Sequence, residues 1–206
     1  MIRLSISADI RTAKRALSAA ARQQIPYAAM RAVNSLAFEV QRAERAAMSQ
    51  VFDSPRPFTQ RSVLVTKGTK AKPEATIYVR PEAARYLAPY EFGGRHHAPG
   101  SGRAILAPRA IRLDPYGQIR GKPRTIAQRR NVFAGAVKTK DGLVWGFWQR
   151  LKSKQGPRLK LLVRAEDPQP VPKRLGFRAR AQALVSKRGR AVFEAELAKA
   201  LAGARR

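Results

Sequence analysis

His96 and His97 are the only imidazoles in the 206-residue chain, and cysteine is absent. With Glu91 nearby they form the one group that invites an acid–base or metal-binding reading. The spacing argues against it. Consecutive side chains do not converge on one ion as an i, i+4 pair on a helix does, and no further histidine completes a site. A turn rich in glycine and proline surrounds them and reads as exposed polar loop. The carboxylates are sparse and scattered. Asp53, Glu74, Glu82, Asp114 and Asp141 fall at turns or element ends, and Glu166-Asp167 precedes a proline segment, positions that suit capping and turn chemistry. Glu91-Phe92-Gly93-Gly94 and His97-Ala98-Pro99-Gly100-Ser101-Gly102 are glycine-rich but lack the lysine followed by Ser or Thr of a phosphate loop. Their glycines read instead as turn positions with positive φ. Without cysteine there is no disulfide framework, thiolate metal site or thiol catalysis. The expectation is a protein that is not an enzyme, with no cofactor, metal or small-molecule substrate.

What the chain has in abundance is positive charge: 42 Lys and Arg against 13 Asp and Glu, a net +29. Such an excess suits nucleic acid, an acidic protein surface or anionic lipid. Arginine predominates, and its planar fork is the better bidentate phosphate partner. The expected contact residues, to DNA or to an acidic partner, are Arg109, Arg112, Arg120, Lys122, Arg124, Arg129, Arg130, Lys152 and Lys154. No recognition helix, zinc finger or RNA-stacking signature accompanies them, so any DNA contact is expected at the backbone and weakly dependent on sequence. No run approaches the roughly 20 apolar residues of a membrane span. The segment MIRLSISADIRTAKRAL has no apolar core of signal-peptide length. The product is therefore expected to be soluble, unprocessed, made in the cytoplasm and without a membrane partner.

The elements that must carry this charge follow from periodicity. Ile2, Leu4 and Ile6 alternate as a strand. A helix is expected over about 9–23, capped by Ser7 or Asp9. A second, over 26–49, opens at Pro26 and has Tyr27, Met30, Val33, Ala37, Val40, Ala47 and Met48 on its stripe. Phe52-Asp53-Ser54-Pro55-Arg56-Pro57 ends it, and a helical turn at 57–62 follows. Strands at Val63–Lys67 and Ala75–Arg80 make a hairpin with one buried face. Pro81–Leu87 reads as a short helix. From Pro89 to Arg130 periodicity fails; nine Lys and Arg lie from Arg95 to Arg130 with Asp114 the sole acid, and the stretch reads as an arm that orders on a partner. Strands at 143–148 and 159–163 and a helix at 175–201, bent near Gly189, complete the chain. The expected architecture is α+β: a small antiparallel sheet packed against long helices, with a long extended basic arm. The expected organisation is a core over 1–90, the arm over 91–135, and a strand pair and C-terminal helix over 136–206 completing the same domain.

Three stretches carry a family resemblance. Ile25-Pro26-Tyr27-Ala28-Ala29-Met30-Arg31-Ala32-Val33-Asn34 resembles the opening of the long helix in tailed-phage minor tail protein Z and related prophage proteins. Phe52-Asp53-Ser54-Pro55-Arg56-Pro57-Phe58-Thr59, then a strand, a Lys-rich turn and Ala75-Thr76-Ile77-Tyr78-Val79, continues it. Tyr90-Glu91-Phe92-Gly93-Gly94 resembles the E-F-G turn of the wider tail-completion and neck-protein group. The resemblance covers most of residues 20–95, and the C-terminal helix in outline. It implies a non-enzymatic virion structural protein forming a homo-oligomeric ring at the head–tail junction or tail end. Its partners would be other neck or tail proteins (connector, tail terminator or tube), with genomic DNA backbone a further contact. The alternative, from charge alone, is a free-standing, sequence-independent DNA-binding architectural protein.

Overall fold

Strand alternation at the start of the chain holds: Ile2 and Ile6 are buried while Arg3, Ser5 and Ser7 are exposed. In the computed structural model, residues 2–7, 19–95, 104–140, 142–152 and 156–203 are described. The histidine pair, most of the expected first helix with its Asp9 cap, Asp141 and Lys154 lie outside them. The fold is α+β, and the chain divides into two compact units, residues 1–92 with 173–206 and residues 93–172.

In the discontinuous unit, β1 (Arg3–Ser7), β2 (Val63–Thr66) and β3 (Glu74–Val79) form an antiparallel sheet in the order β1-β3-β2. Ile6 pairs with Ala75, and Val63 with Val79, so one face is apolar throughout. The helix α1 (Ala19–Val51) lays Val33, Leu36, Ala37, Val40 and Met48 on that face, at the three- and four-residue spacing of a helical stripe. Pro26 lies inside α1 and does not open it. A proline there forfeits the hydrogen bond to the carbonyl four residues earlier; burial of Ile25, Ala28, Ala29 and Ala32 around it offsets the loss. The short α2 (Pro57–Gln60) leads into β2. Asn34 then pins the basic β2–β3 turn to α1: its carbonyl oxygen accepts from the Gly68 N–H at 2.8 Å and its amide donates to the Gly68 carbonyl at 3.1 Å.

Helix α3 (Pro81–Phe92) runs past the expected end at Leu87, so Pro89 and Glu91 are helical. Gly93 and Gly94 terminate it at φ 84° and 121°, the positive values expected of them. The C-terminal helix α5, whose bounds are Phe177–Gly203, buries Phe177, Ala181, Glu196 and Ala200. Gly189 sits within α5, where an added Cβ would meet Leu36 at 3.9 Å; it is a point of contact with α1.

The inserted unit corrects the expected arm. Its β4 (Gly94–Arg95) and β9 (Pro170–Val171) pair, bringing the two ends of the insertion side by side. Between them β5 (Ile105–Pro108), β6 (Val132–Thr139), β7 (Gly142–Leu151) and β8 (Arg158–Glu166) form an antiparallel sheet in the order β5-β8-β7-β6. Residues 104–130 are thus not an extended arm over their described length. They hold β5, a bridge between Leu113 and Ile119, and the short α4 (Pro123–Ala127). Ile126 is fully buried with Phe147, Leu162 and Val163, and Leu106, Ile111 and Ile119 pack around them. These apolar residues are too widely spaced for any local period, because a sheet from elsewhere in the chain gathers them. The strand pair β7–β8 belongs to this insert, while α5 belongs to the other unit. The two do not complete one domain as expected.

Gly146 is required by a close approach of two strands. An added Cβ would strike the Val163 carbonyl oxygen and come within 3.0 Å of Leu161 Cδ1, whereas at its cross-strand partner Gly135 it would meet only Phe133, at 3.7 Å. Gly146→Ala is expected to lower unfolding free energy by about 1–3 kcal/mol, and Gly135→Ala by less than about 0.5 kcal/mol. Urea unfolding of the two variants beside the parent checks the contrast.

Candidate interaction surface

Most carboxylates of the described chain are engaged in holding it together. Glu44 lies on the buried stripe of α1, 1 % exposed, and takes a two-pronged bond from Arg180 of α5: Nη2 to Oε2 at 2.7 Å and Nε to Oε1 at 3.2 Å. Burial pushes its carboxyl above the ordinary range, with Arg180 pulling the other way and Glu91 adding to the rise. Glu91, in the last turn of α3, caps the N-terminus of α5, accepting from the Phe177 and Arg178 N–H groups at 2.8 and 3.0 Å. Glu196 is held by Lys199 at 2.9 Å and Arg31 at 2.6 Å, which keep its carboxyl below the ordinary range. Glu39, Glu74, Glu166 and Glu194 pair with Arg188, Lys72, Arg109 and Arg190. Asp114 accepts from the Tyr116 and Gln118 N–H groups, each at 2.9 Å, closing its own turn.

No group of three or more His, Asp or Glu side chains converges as a metal site would among the described residues. The one carboxyl raised by burial among the described residues, Glu44, is the type a general acid uses. It is sealed between helices, however, and lines none of three open clefts. These measure about 430 Å³ beside Arg31 and Glu196, about 390 Å³ beside Trp145 and Arg164, and about 530 Å³ between β1 and α5.

The cations are distributed otherwise. Arg112, Arg120, Lys122, Arg124, Arg129 and Arg130 are all exposed. They ride on the segment whose Ile111, Ile119 and Ile126 enter the insert's small core, so the structure ties them to one folded scaffold. Arg109 is partly neutralised by Glu166 at 2.8 Å. Lys152 is exposed just past the end of β7. Arg129 and Arg130 approach that end of the sheet too, since the Arg150 N–H donates to the Asn131 carbonyl at 2.8 Å. Arg150 itself lies over the Phe133 ring at 4.6 Å. Its place beside Arg129 and Arg130 is hidden in the sequence, because the strand β6 that brings them together has too weak a pattern to be read. Exposed Trp145 and Leu143 stand toward the opposite end of β7. A signal for Glu44 and Glu196 does exist: each is an acid set at helical spacing within an apolar stripe.

No family model matches the chain, and neither a curated protein nor a solved structure is significantly similar to it.

Removing Arg180 leaves the Glu44 carboxylate buried without its partner. Arg180→Ala is expected to cost about 3–5 kcal/mol near neutral pH. Glu44 already titrates above its unfolded value, so folding favours its protonated form, and that contribution is lost as pH rises through the raised folded value. The defect of Arg180→Ala should therefore shrink as pH falls and Glu44 takes up its proton. Glu196 has the opposite sign. Its lowered value contributes stability above the ordinary carboxylate range that is lost on acidification, so Glu196→Gln should cost most at neutral pH and least in acid. Urea titrations of both variants across pH check the two slopes.

Proposed function

We propose that this chain is a non-enzymatic structural protein of a tailed-phage particle, a tail-completion or neck component. In this reading it assembles as a ring at the head–tail junction or tail end, with its basic surface toward DNA or acidic neighbours. The observation that carries the reading is the division of labour among charges. Most of the described acids are engaged inside each unit as pairs and caps, whereas the cations of 112–130 face solvent without an ion pair among the described residues. Charge left over in this way is suited to a neighbour, and self-repulsion at this level is relieved by one.

The residues that carry the family resemblance support the same reading by what they do. Asn34 anchors the β2–β3 turn, and Glu91 caps α5. Both are scaffold roles, in keeping with a group whose chemistry is structural. The second reading, a free-standing DNA-binding architectural protein, is favoured by the same exposed cations and needs no ring.

Electron microscopy of particles made without this protein is the direct test. Heads and tails left unjoined, or tails left unfinished, are expected; fully joined, intact tails would overturn the proposal. Salt-titrated binding to duplex DNA separates the second reading. Tight, discrete binding by a monomer would favour it, provided that Arg124→Glu, Arg129→Glu and Arg130→Glu each lower the salt slope by about one, as removal of a phosphate-binding cation does.

A further inference from the structure

The four strands of the insert do not end together. β6 pairs with β7 only as far as Val132 opposite Gln149, and β5 with β8 only as far as Pro108 opposite Val163. A last main-chain bond closes each flank: the Arg150 N–H donates to the Asn131 carbonyl, and the Arg109 and Ala110 N–H groups donate to the Leu162 carbonyl. β7 and β8 continue past both neighbours. Gln149 pairs with Lys160, Arg150 with Leu159 and Leu151 with Arg158. This end of the sheet is therefore a two-stranded ribbon, and residues 150–152 and 158–160 are all exposed.

Directly opposed residues of an antiparallel pair share a face. Arg150 and Leu159 thus stand on one face of the ribbon, and Leu151, Arg158 and Lys160 on the other. Each face carries positive charge. Lys152 follows Leu151, and Arg129 and Arg130 approach the base of the ribbon through Asn131. No carboxylate balances them: from 142 to 165 the sequence holds no acid. Glu166 lies at the opposite end of β8 and is paired with Arg109 at 2.8 Å.

Charge on both faces selects the kind of polyanion. An acidic protein surface lies against one face of a ribbon and leaves the other unused, whereas a groove walled by phosphates engages both. The major groove of B-form DNA, about 12 Å wide, admits a two-stranded ribbon, and arginine matches phosphate geometry. Single strands are held on exposed aromatic platforms. Among the described residues the ribbon has none, since Trp148 is buried and the Phe133 ring lies under the Arg150 guanidinium at 4.6 Å. Resting on the DNA-facing form of the reading above, we propose that the β7–β8 ribbon enters the major groove of B-form DNA. Arg150 meets the phosphates of one wall, and Lys160 with Arg158 those of the other.

A fluorescein-labelled DNA duplex of about 20 base pairs, titrated with the full chain by anisotropy at several salt concentrations, tests this. Because the whole protein is basic, binding alone decides nothing; the two faces do. Arg150→Gln and Lys160→Gln, one from each face, are each expected to lower the salt slope by about one. Arg150→Lys, which keeps the charge, should leave the slope unchanged. An RNA duplex of the same sequence should bind at least about tenfold more weakly, because side chains cannot enter its deep, narrow major groove. The proposal is overturned if only one face alters the slope, or if the RNA duplex binds as tightly as the DNA. Polyglutamate that competes as well as unlabelled DNA at equal charge overturns it too, in favour of an acidic protein. Should Arg150→Gln lose the circular dichroism of the parent, an unchanged slope in Lys160→Gln or equal binding of RNA still overturns it. If Arg124→Glu and Arg129→Glu lower the slope while both ribbon variants leave it unchanged, the ribbon fails and the DNA-facing reading stands. Absence of DNA binding by the parent overturns both, and leaves the particle experiment to decide the virion role.

Discussion

The discontinuous unit depends on a clasp where the chain leaves it and returns. Residues 93–172 are inserted between α3 and α5, so α5 must find α1 and the sheet again after a long excursion. Closing so large a loop has an entropic cost that grows slowly with length, and a cluster of directional bonds offsets it. The Tyr90 carbonyl accepts from the Arg174 and Leu175 N–H groups at 2.8 and 2.9 Å. The Arg174 guanidinium lies over both Phe52 and Tyr90, at 5.1 and 4.9 Å. Glu91 caps α5, and Arg180 ties Glu44 to the Leu175 carbonyl. Apolar burial of Leu175 and Phe177 would tolerate sliding and rotation; these bonds fix the register of α5 along α1.

The clasp also determines what the acids are free to do. Glu44 and Glu91 are the carboxyls whose settings most resemble a reactive site, one buried and one beside a glycine turn. Both are committed to holding α5. A buried carboxylate with a bidentate arginine and a helix-capping carboxylate are costly to disturb, so their chemistry is architectural. Some of the positive charge shares that commitment, as Arg180 and Arg174 do, but the exposed cations of 112–130 form no ion pair among the described residues. On the insert a small core around Ile126 and Phe147 holds the segment bearing exposed Arg120, Lys122 and Arg124. The stability of one unit and the outward charge of the other therefore rest on different residues.

The three-stranded sheet shows the same economy at its edges. β2 is covered by polar side chains of the helix that packs on it, because Gln41 and Arg45 stand where α1 passes over the strand. β1 lies on the far side of β3, beside Arg178, Gln182, Val185 and Ser186 of α5. The difference, among the described residues, follows from which helix runs over which strand.

Sequence alone determined the elements whose signal is local. The alternation of Ile2, Leu4 and Ile6, the stripe of α1, the β2–β3 hairpin and the C-terminal helix were all legible, since each rests on a period set by backbone geometry. Net charge and the absence of cysteine were legible for the same reason: they need no neighbour. The insert was not. Ile111, Ile119 and Ile126 show no period, and only pairing of β5 with β8 across the unit makes them a core, so their stretch reads as an arm. β6 is silent in the sequence because Ala134, Gly135 and Ala136 carry little strand signal; its place comes from the partner β7. Pro26 reads as a helix start because its cost is local and the burial that offsets it is not. Tertiary structure alone decided which acids are engaged, because Glu44 meets Arg180, and Glu91 meets the start of α5, only after distant segments have come together.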